Sequence, residues 1–207
     1  MSLLHVSQHP LVKHKLSILR DVKTDHRQFR ELVREITLLL CYEATQDMSL
    51  TAREVTTPMG KADGFVASER IGLVPIMRAG MGMMDGVMEL LPSVQVWHIG
   101  LYRDEKTLKP VQYYNRLPSA PTVELCFVLD PMLATGGSAV ATIDIVREWG
   151  VKNIKFMGLL GAPEGVETLS KAHPDVPIHL ATLDERLNDI GFIVPGLGDA
   201  GDRMFGT

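Results

Sequence analysis

The sequence predicts an α/β fold built on a mainly parallel, doubly wound sheet. Short apolar runs rich in β-formers alternate with helical stretches along most of the chain, and this alternation is typical of parallel sheets with helices on both faces. Residues 123–129 are apolar except for Glu124 and rich in β-formers, as expected of a strand that is buried on both faces. The length of 207 residues predicts a single domain, residues 1–207, with its core sheet at about 70–182.

Two helices are predicted before the sheet, within residues 10–46. The first covers residues 10–20, with Pro10 in its first position. The second begins near Asp25, with Gln28 as a capping-box partner. Its apolar face follows the helical period and consists of Phe29, Leu32, Val33, Ile36, Leu39 and Leu40. This face and the methionine-rich run at residues 77–88 each serve either the core or a subunit interface.

The middle of the chain gives weaker signals. A strand is predicted at residues 51–57, followed by a turn at residues 60–64. Residues 71–77 form a strand that runs into a glycine-rich turn beginning at Arg78, then a helix, and residues 94–102 form the next strand. Residues 103–121 are polar and contain three prolines, which indicates either a projecting arm or a disordered segment.

The most informative stretch is the strand at residues 123–129 together with the turn and helix after it. Asp130 stands at the carboxyl end of the strand, and residues 134–138 (ATGGS) form a small, glycine-rich turn. Ser138 is predicted to cap a helix over residues 139–149, which Gly150 ends. Backbone amides and a helix dipole would then converge on one point, which predicts a phosphate site. We call residues 130–138 the phosphate cradle; the alternative is an ordinary strand-to-helix turn.

Two further strands, at residues 154–160 and 178–182, flank a helix that starts at Pro163. Ligands of open parallel sheets bind at the carboxyl ends of the strands. Asp130 and Arg78 fall at such ends and Arg103 follows one, so the sequence predicts a single site. Arginine is suited to bidentate contact with phosphate, although exposed salt bridges would also explain both arginines. With the acids Asp130 and Asp199, these residues predict a sugar-phosphate ligand that carries a second anionic group.

Other classes of protein are disfavoured by the sequence. There is no nucleotide-triphosphate P-loop, and the GxGxxG match at residues 196–201 has too few residues after it for a dinucleotide-binding unit. The net charge of −4 gives no general reason to bind nucleic acid. No apolar run reaches the roughly 20 residues of a membrane span, and no signal peptide is evident. Cys41 and Cys126 lie in apolar runs and are predicted to be buried thiols, so we expect a cytoplasmic protein.

Several motifs resemble a known family. DPMLATGGS (residues 130–138) resembles the signature loop of the phosphoribosyltransferases that use 5-phospho-α-D-ribose 1-diphosphate (PRPP). Other segments resemble the uracil phosphoribosyltransferase family in particular, the most specific being IVPGLGDAGDRMFGT at residues 193–207. Further matches are HPLVKHKL (9–16), PIMRAGMGMMDG (75–86), LYRDE (101–105), APEG (162–165) and AHPD (172–175). Residues 48–70 carry little of the resemblance.

The resemblance implies a role for each candidate residue. Asp130 would bind the ribose hydroxyls, and Arg78 and Arg103 the diphosphate. The 5′-phosphate would be held by Thr135, Gly136, Gly137 and Ser138, with Pro131, Met132, Leu133 and Ala134 completing the binding loop. Uracil would be bound within a C-terminal segment, residues 190–207, by Ile193, Gly198, Asp199 and Ala200. Asp199 would also lie near the donor and is the nearest candidate for a general base.

The resemblance further implies an activity and its partners. The expected reaction converts uracil and PRPP to UMP and diphosphate, in pyrimidine salvage. Many relatives place a second acid where this chain has Pro131, so Mg²⁺ is expected to be held mainly through PRPP and by no dedicated protein ligands. GTP is a candidate allosteric activator, and a homo-oligomer (dimer or tetramer) is expected, without nucleic acid or membrane partners. The alternatives are a transferase for another base, such as orotate or a purine, and a regulatory protein that binds RNA.

Overall fold

The structure is a computed structural model that describes residues 3–103 and 110–207, apart from the side chains of residues 101–103, 110–112 and 115. Its elements follow in this order: β1 (Leu4–Val6), α1 (Pro10–Arg20), α2 (His26–Ala44), β2 (Leu50–Thr57), β3 (Gly60–Ala67), β4 (Ile71–Pro75), α3 (Met81–Leu90), β5 (Gln95–Val96), β6 (Ile99–Arg103), β7 (Pro110–Asn115), β8 (Leu125–Leu129), β9 (Met132–Leu133), α4 (Gly137–Trp149), β10 (Asn153–Gly161), α5 (Pro163–Ala172), β11 (Ile178–Leu183), β12 (Arg186–Leu187), β13 (Ile193–Val194) and α6 (Ala200–Phe205).

The predicted parallel sheet is confirmed. Its strands lie in the order β1-β11-β10-β8-β4-β5, with β9 also paired to β10, and every pairing among them is parallel. The strand β8 is therefore in the interior of the sheet, with β10 on one side and β4 on the other. Because the strands run in one direction, the segments that follow β4, β8 and β11 all lie at the same edge.

Helices cover both faces of the sheet, so the doubly wound arrangement is also confirmed. Alternate residues of β8 enter separate cores: Leu125, Phe127 and Leu129 pack with residues of α1, α2, α3 and α6. Cys126 and Val128 pack on the other face with residues of α4 and α5. The apolar face of α2 is buried in the first core, which favours the core role left open by the sequence.

Two antiparallel ribbons lie outside this sheet. β2 pairs with β3, and β6 pairs with β7. A single bridge between Ile76 and Ile99 places the start of β6 beside the end of β4. The described part of the predicted arm at residues 103–121 thus includes a paired strand, which favours the arm over disorder; residues 104–109 of that prediction lie outside the described residues.

Several local predictions were wrong. The strand predicted at residues 94–102 is divided into β5 and β6, with Trp97 and His98 between them. The turn predicted at residues 60–64 lies at Pro58 and Met59 instead, and residues 60–67 form β3. The edge strand β1 and the short elements β9, β12, β13 and α6 were not predicted. Within the described residues no helix has the length and apolarity of a membrane span.

Candidate active site

The phosphate cradle begins where β8 ends. Asp130 is half-buried there, and its Oδ1 accepts a hydrogen bond from the backbone N–H of Met132 at 3.2 Å. Burial removes water from the carboxylate and raises the pKa of Asp130 to about 7 from its ordinary 3.8, although the Met132 hydrogen bond acts in the opposite direction. The carboxyl group therefore changes its charge near neutral pH.

The amino terminus of α4 forms the other side of the cradle. The prediction that Ser138 caps this helix was wrong: α4 begins at Gly137, and its N-cap is Gly136, with φ 83°. In the part of the chain that the structure describes, no side chain caps this terminus. Uncapped first-turn amides and the helix dipole favour an anion at this position. The adjoining cleft has a volume of about 100 Å³ and is lined by Asp130, Met132, Leu133, Ala134, Thr135, Gly136, Ser138 and Ala139.

Two glycines allow the cradle to pack against α5. A Cβ on Gly136 would lie 2.8 Å from the carbonyl oxygen of Gly165, and the positive φ of Gly136 also disfavours other residues. A Cβ on Gly165 would lie 2.4 Å from the oxygen of Ala134 and 2.5 Å from that of Leu133. Gly165 belongs to the APEG motif, whose structural role is thus to admit the cradle backbone.

Arg78 lies in the loop between β4 and α3, and it is not among the residues that line the two clefts of the site. Gly80 makes this loop close-packed, since a Cβ there would lie 2.4 Å from the oxygen of Leu129. The loop therefore lies directly beside the end of β8. The Nη2 of Arg78 is 3.1 Å from Oδ1 of Asp202, and both side chains are about half exposed. Surface pairs of this kind contribute little stability, so the guanidinium can exchange partners at low cost.

Arg103 is the last residue of β6. Its side chain lies outside the described residues, so the predicted convergence of Arg103 with Arg78 stays a prediction.

Next to the cradle is a second cleft, with a volume of about 190 Å³, lined mainly by the C-terminal part of the chain. Ile193, Gly198, Asp199 and Ala200, all predicted as base-binding residues, line it together with Gly191 and Phe192. Met132 and Ala134 line both clefts. We call residues 193–200 the base segment. The structure thus brings cradle residues and the predicted base-binding residues to adjoining clefts.

Asp199 has a structural contact of its own. It is the N-cap of α6, and its Oδ1 accepts a hydrogen bond from the N–H of Asp202 at 2.9 Å. A Cβ on Gly201 would lie 3.2 Å from Oδ1 of Asp199 and 3.5 Å from Nη2 of Arg78. The first turn of α6 therefore places Asp199 and Arg78 close to each other, at the edge of the second cleft.

The sequence did not indicate the side chains that support the base segment. Arg20 and Asp184 contact Gly196, and Arg203 donates to the carbonyl oxygen of Leu197 at 3.0 Å. Arg203 also lies 4.6 Å from the ring centre of Phe29, in cation–π geometry. The APEG motif in the sequence was a signal for the functional importance of Gly165, which packs against the cradle. For Arg20 and Asp184 there was none, because the two positions are 164 residues apart.

The cradle suits a metal ion that is bound together with a phosphorylated substrate. Within residues 3–103 and 110–207 no cluster of three or more metal-ligating side chains occurs. Mg²⁺ is often bound through one or two carboxylates together with substrate phosphates. Asp130 provides one carboxylate beside the anion site, and the cradle therefore fits a magnesium ion that arrives with a phosphorylated ligand.

Solved structures share this fold. A hypoxanthine phosphoribosyltransferase from Staphylococcus aureus aligns with a TM-score of 0.54 at 12% identity, over 87% of this chain and 84% of its own. At that identity the likeness shows the fold alone, which is that of the phosphoribosyltransferases. A protein from Aquifex aeolicus, AQ2163, aligns with a TM-score of 0.92 at 36% identity over 99% of this chain and 98% of its own.

Sequence comparisons narrow the class to one family. The model of the family described as uracil phosphoribosyltransferase matches residues 6–207. Uracil phosphoribosyltransferases of Roseiflexus sp. (strain RS-1) and Geobacillus kaustophilus are 60% and 54% identical to the chain, with all of both sequences covered in each case. The chain belongs to the uracil phosphoribosyltransferase family.

Proposed function

We propose that this enzyme transfers the 5-phosphoribosyl group of PRPP to uracil, giving UMP and diphosphate in pyrimidine salvage. The observation that carries the proposal is the pair of adjoining clefts that share Met132 and Ala134. One cleft has the anion-binding features that a sugar phosphate needs, and the other is lined by the base segment. A donor and a base bound in these clefts would meet at the shared wall.

The cradle binds the donor in this proposal. Asp130 accepts hydrogen bonds from the ribose hydroxyls, and Thr135, Gly136, Gly137 and Ser138 hold the 5′-phosphate at the start of α4. The uncapped helix terminus and the exposed side chains of Thr135 and Ser138 support that assignment. Arg78 and Arg103 bind the diphosphate, with Arg78 leaving Asp202 to do so.

The base segment selects uracil. The edge of uracil presents two carbonyl acceptors and one N–H donor, which backbone N–H and C=O groups can match without side chains. Gly198, with φ 83°, and the neighbouring Asp199 and Ala200 supply such groups beside Ile193. Cytosine inverts part of this pattern, and a site built on hydrogen bonds can reject such an analogue by ~10⁴ or more.

Catalysis consists of positioning and charge stabilisation. The bond between C1 of the ribose and the diphosphate breaks with oxocarbenium character, and N1 of uracil attacks from the opposite face. Arg78 and Arg103 stabilise the negative charge on the departing diphosphate, while the two clefts hold the reacting atoms in line. Mg²⁺ held mainly through PRPP would neutralise part of the charge on the diphosphate, and Asp130 would be the one cradle residue with a carboxylate beside it.

The assembly in this proposal is a homo-oligomer. The ribbon formed by β2 and β3 is exposed along almost its whole length, and two-stranded ribbons are marginal in water when unsupported. It carries exposed apolar side chains at Leu50, Met59 and Phe65, of which Met59 is 96% accessible. A second copy of the chain packed against this ribbon would bury them, and sedimentation of the purified protein measures whether the chain forms an oligomer.

The proposed cellular setting is the cytoplasm. The prediction of buried thiols is confirmed, because Cys41 and Cys126 are both free and buried. Burial raises the pKa of each thiol to about 12, so neither is a reactive thiolate. Buried, unpaired cysteines suit a reducing compartment.

The decisive experiment offers the purified protein PRPP with uracil, orotate, hypoxanthine or cytosine, with and without Mg²⁺. We expect UMP from uracil only, and only with Mg²⁺. Turnover of orotate or hypoxanthine without turnover of uracil would contradict the assignment of the base, and tight sequence-specific RNA binding without any turnover would favour a regulatory protein. Repeating the uracil assay with GTP tests the proposed activation, which rests on the resemblance alone.

A further inference from the structure

A nearly buried ion pair joins the first helix to the loop after β11. Asp184 directly follows β11, and its side chain is only 4% accessible. The guanidinium of Arg20, the last residue of α1, contacts both carboxylate oxygens: Nη1 donates to Oδ2 at 2.8 Å, and Nη2 donates to Oδ1. Two parallel contacts of this kind fix the orientation of both groups.

The pair also binds both polar groups of a single backbone residue. The N–H of Gly196 donates to Oδ2 of Asp184 at 2.9 Å, and the C=O of Gly196 accepts from Nη1 of Arg20 at 2.9 Å. Gly196 has φ 60°, and a Cβ there would lie 2.1 Å from the oxygen of Ile193. Gly196 therefore has a backbone conformation with no space for a side chain, and the ion pair hydrogen-bonds both its N–H and its C=O.

This anchored residue lies in the middle of the base segment. Ile193 precedes it and Gly198 follows it, and both line the second cleft. Arg20 and Asp184 are absent from that lining, so they act on the cleft only through the backbone. A site that reads a base with backbone groups depends on the directions of those groups, and its selectivity is lost when they are free to turn.

We infer that the Arg20–Asp184 pair is a positioning device for base recognition, which fixes the backbone at Gly196 so that the base segment discriminates uracil from other bases. The inference rests on the proposed function and adds two residues, from α1 and from the end of β11, to the determinants of specificity. Neither residue touches the reacting atoms.

The test compares substitutions at the two ends of β11. Asp184→Asn keeps the volume of the side chain but places an amide where a carboxylate faced Arg20 and Gly196. Asp175→Asn is the matched control, because Asp175 lies before β11 and also accepts two hydrogen bonds from one arginine, Arg147, each 2.6 Å. Arg20→Lys is the conservative partner variant, which retains the charge but not the forked contact.

The measurements are the KM for uracil, the KM for PRPP and the rate ratio of uracil to cytosine. For Asp184→Asn we expect the uracil KM to rise by about tenfold to a hundredfold, the effect of weakening buried hydrogen bonds to a charged group. The uracil-to-cytosine ratio should fall, the PRPP KM should stay within about threefold, and Arg20→Lys should show a smaller change of the same kind. Asp175→Asn should leave all three quantities unchanged.

Equal rises in the KM values for uracil and PRPP, or a uracil KM unchanged in both Asp184→Asn and Arg20→Lys, would overturn the inference. Thermal unfolding of each variant shows whether it is folded, and if Asp184→Asn does not fold, Arg20→Lys decides by the same criteria. Absence of uracil turnover in the unaltered protein would instead overturn the proposed function, together with this inference. Normal turnover in the unaltered protein with unchanged selectivity in the variants overturns the inference alone.

Discussion

The phosphate cradle and the base segment are built in contrasting ways. The cradle is a contiguous stretch between the interior strand β8 and the long helix α4, and its shape follows from local backbone geometry and from close packing on α5. The base segment joins two short elements, β13 and α6. It is held by side chains from outside the segment: Asp184 contacts Gly196 across 12 positions and Arg20 contacts it across 176.

This contrast suggests that the two regions have separate functions, donor binding in the cradle and base recognition in the base segment. An anion site made of helix amides and glycines serves any 5-phosphoribosyl donor, and its shape depends on its packing against α5. A site that distinguishes one base from another depends on the directions of individual backbone groups, which must be fixed by external contacts. Substitutions in the cradle should therefore change the use of the donor, and substitutions around the base segment should change the use of uracil.

The largest effect is expected at Arg78, which lies where the two regions meet. Arg78→Ala removes a cation from the departing diphosphate and should lower kcat/KM for PRPP by roughly a hundredfold to a thousandfold. The unfolding temperature should hardly change, because the pair with Asp202 is exposed. Steady-state kinetics measures the first effect and calorimetry the second. Arg147→Ala, which removes an arginine paired outside the site, is the control and should keep full activity.

Asp130→Asn should weaken PRPP binding by about tenfold to a hundredfold at pH 8, because a charged acceptor for the ribose hydroxyls is lost. Since burial raises the pKa of Asp130 to about 7, the unaltered enzyme should lose donor affinity as the pH falls below 7. The Asp130→Asn variant should not show this loss of donor affinity below pH 7. Identical profiles for the two proteins, measured as kcat/KM for PRPP between pH 6 and pH 9, would contradict the role of Asp130.

The same raised pKa has a consequence for stability. The folded state binds a proton between pH 3.8 and about 7 that the unfolded state has released, so the stability contributed by Asp130 is present below pH 3.8 and is lost as the pH rises through 7. Asp130→Asn removes this loss. In the absence of ligands, the unfolding free energy of the variant relative to the unaltered protein should increase from pH 4 to pH 7 and stay constant above it.

Gly165→Ala tests whether the cradle depends on its packing against α5. The new Cβ would be 2.4 Å from the oxygen of Ala134, so the cradle or the helix must move, and the unfolding free energy should fall by about 1–3 kcal/mol. Displacement of the phosphate site should raise the PRPP KM by roughly tenfold. Gly137→Ala is the control for stability, because its Cβ would meet only Oγ1 of Thr135, at 3.9 Å; it should unfold no more easily.

The cradle and its flanking elements were easier to predict from the sequence than the contacts that support the base segment. The strand β8, the acid at its end and the long helices α2 and α4 were predictable, because apolar period, glycine placement and strand-end acids are local signals. The start of α4 was placed wrongly, because the positive φ of Gly136 allows the helix to begin before Ser138. The pair of Arg20 and Asp184 was not predictable, because nothing near either residue in sequence indicates the other.

The smallest effect is expected from Asp202→Asn, which separates Arg78 from its surface partner. Exposed ion pairs contribute about 0–1 kcal/mol, so the unfolding free energy should change by no more than that. Release of the guanidinium should lower the PRPP KM by up to about fivefold, which is the same energy expressed as affinity. Because Oδ1 of Asp202 also accepts a hydrogen bond from the hydroxyl of Thr207 at 3.0 Å, Thr207→Val is the matched control and should leave the PRPP KM unchanged. A PRPP KM that rises in Asp202→Asn would mean that Asp202 orients Arg78 toward the diphosphate. In that case α6 would serve the donor as well as the base, and the division between the two regions would not hold.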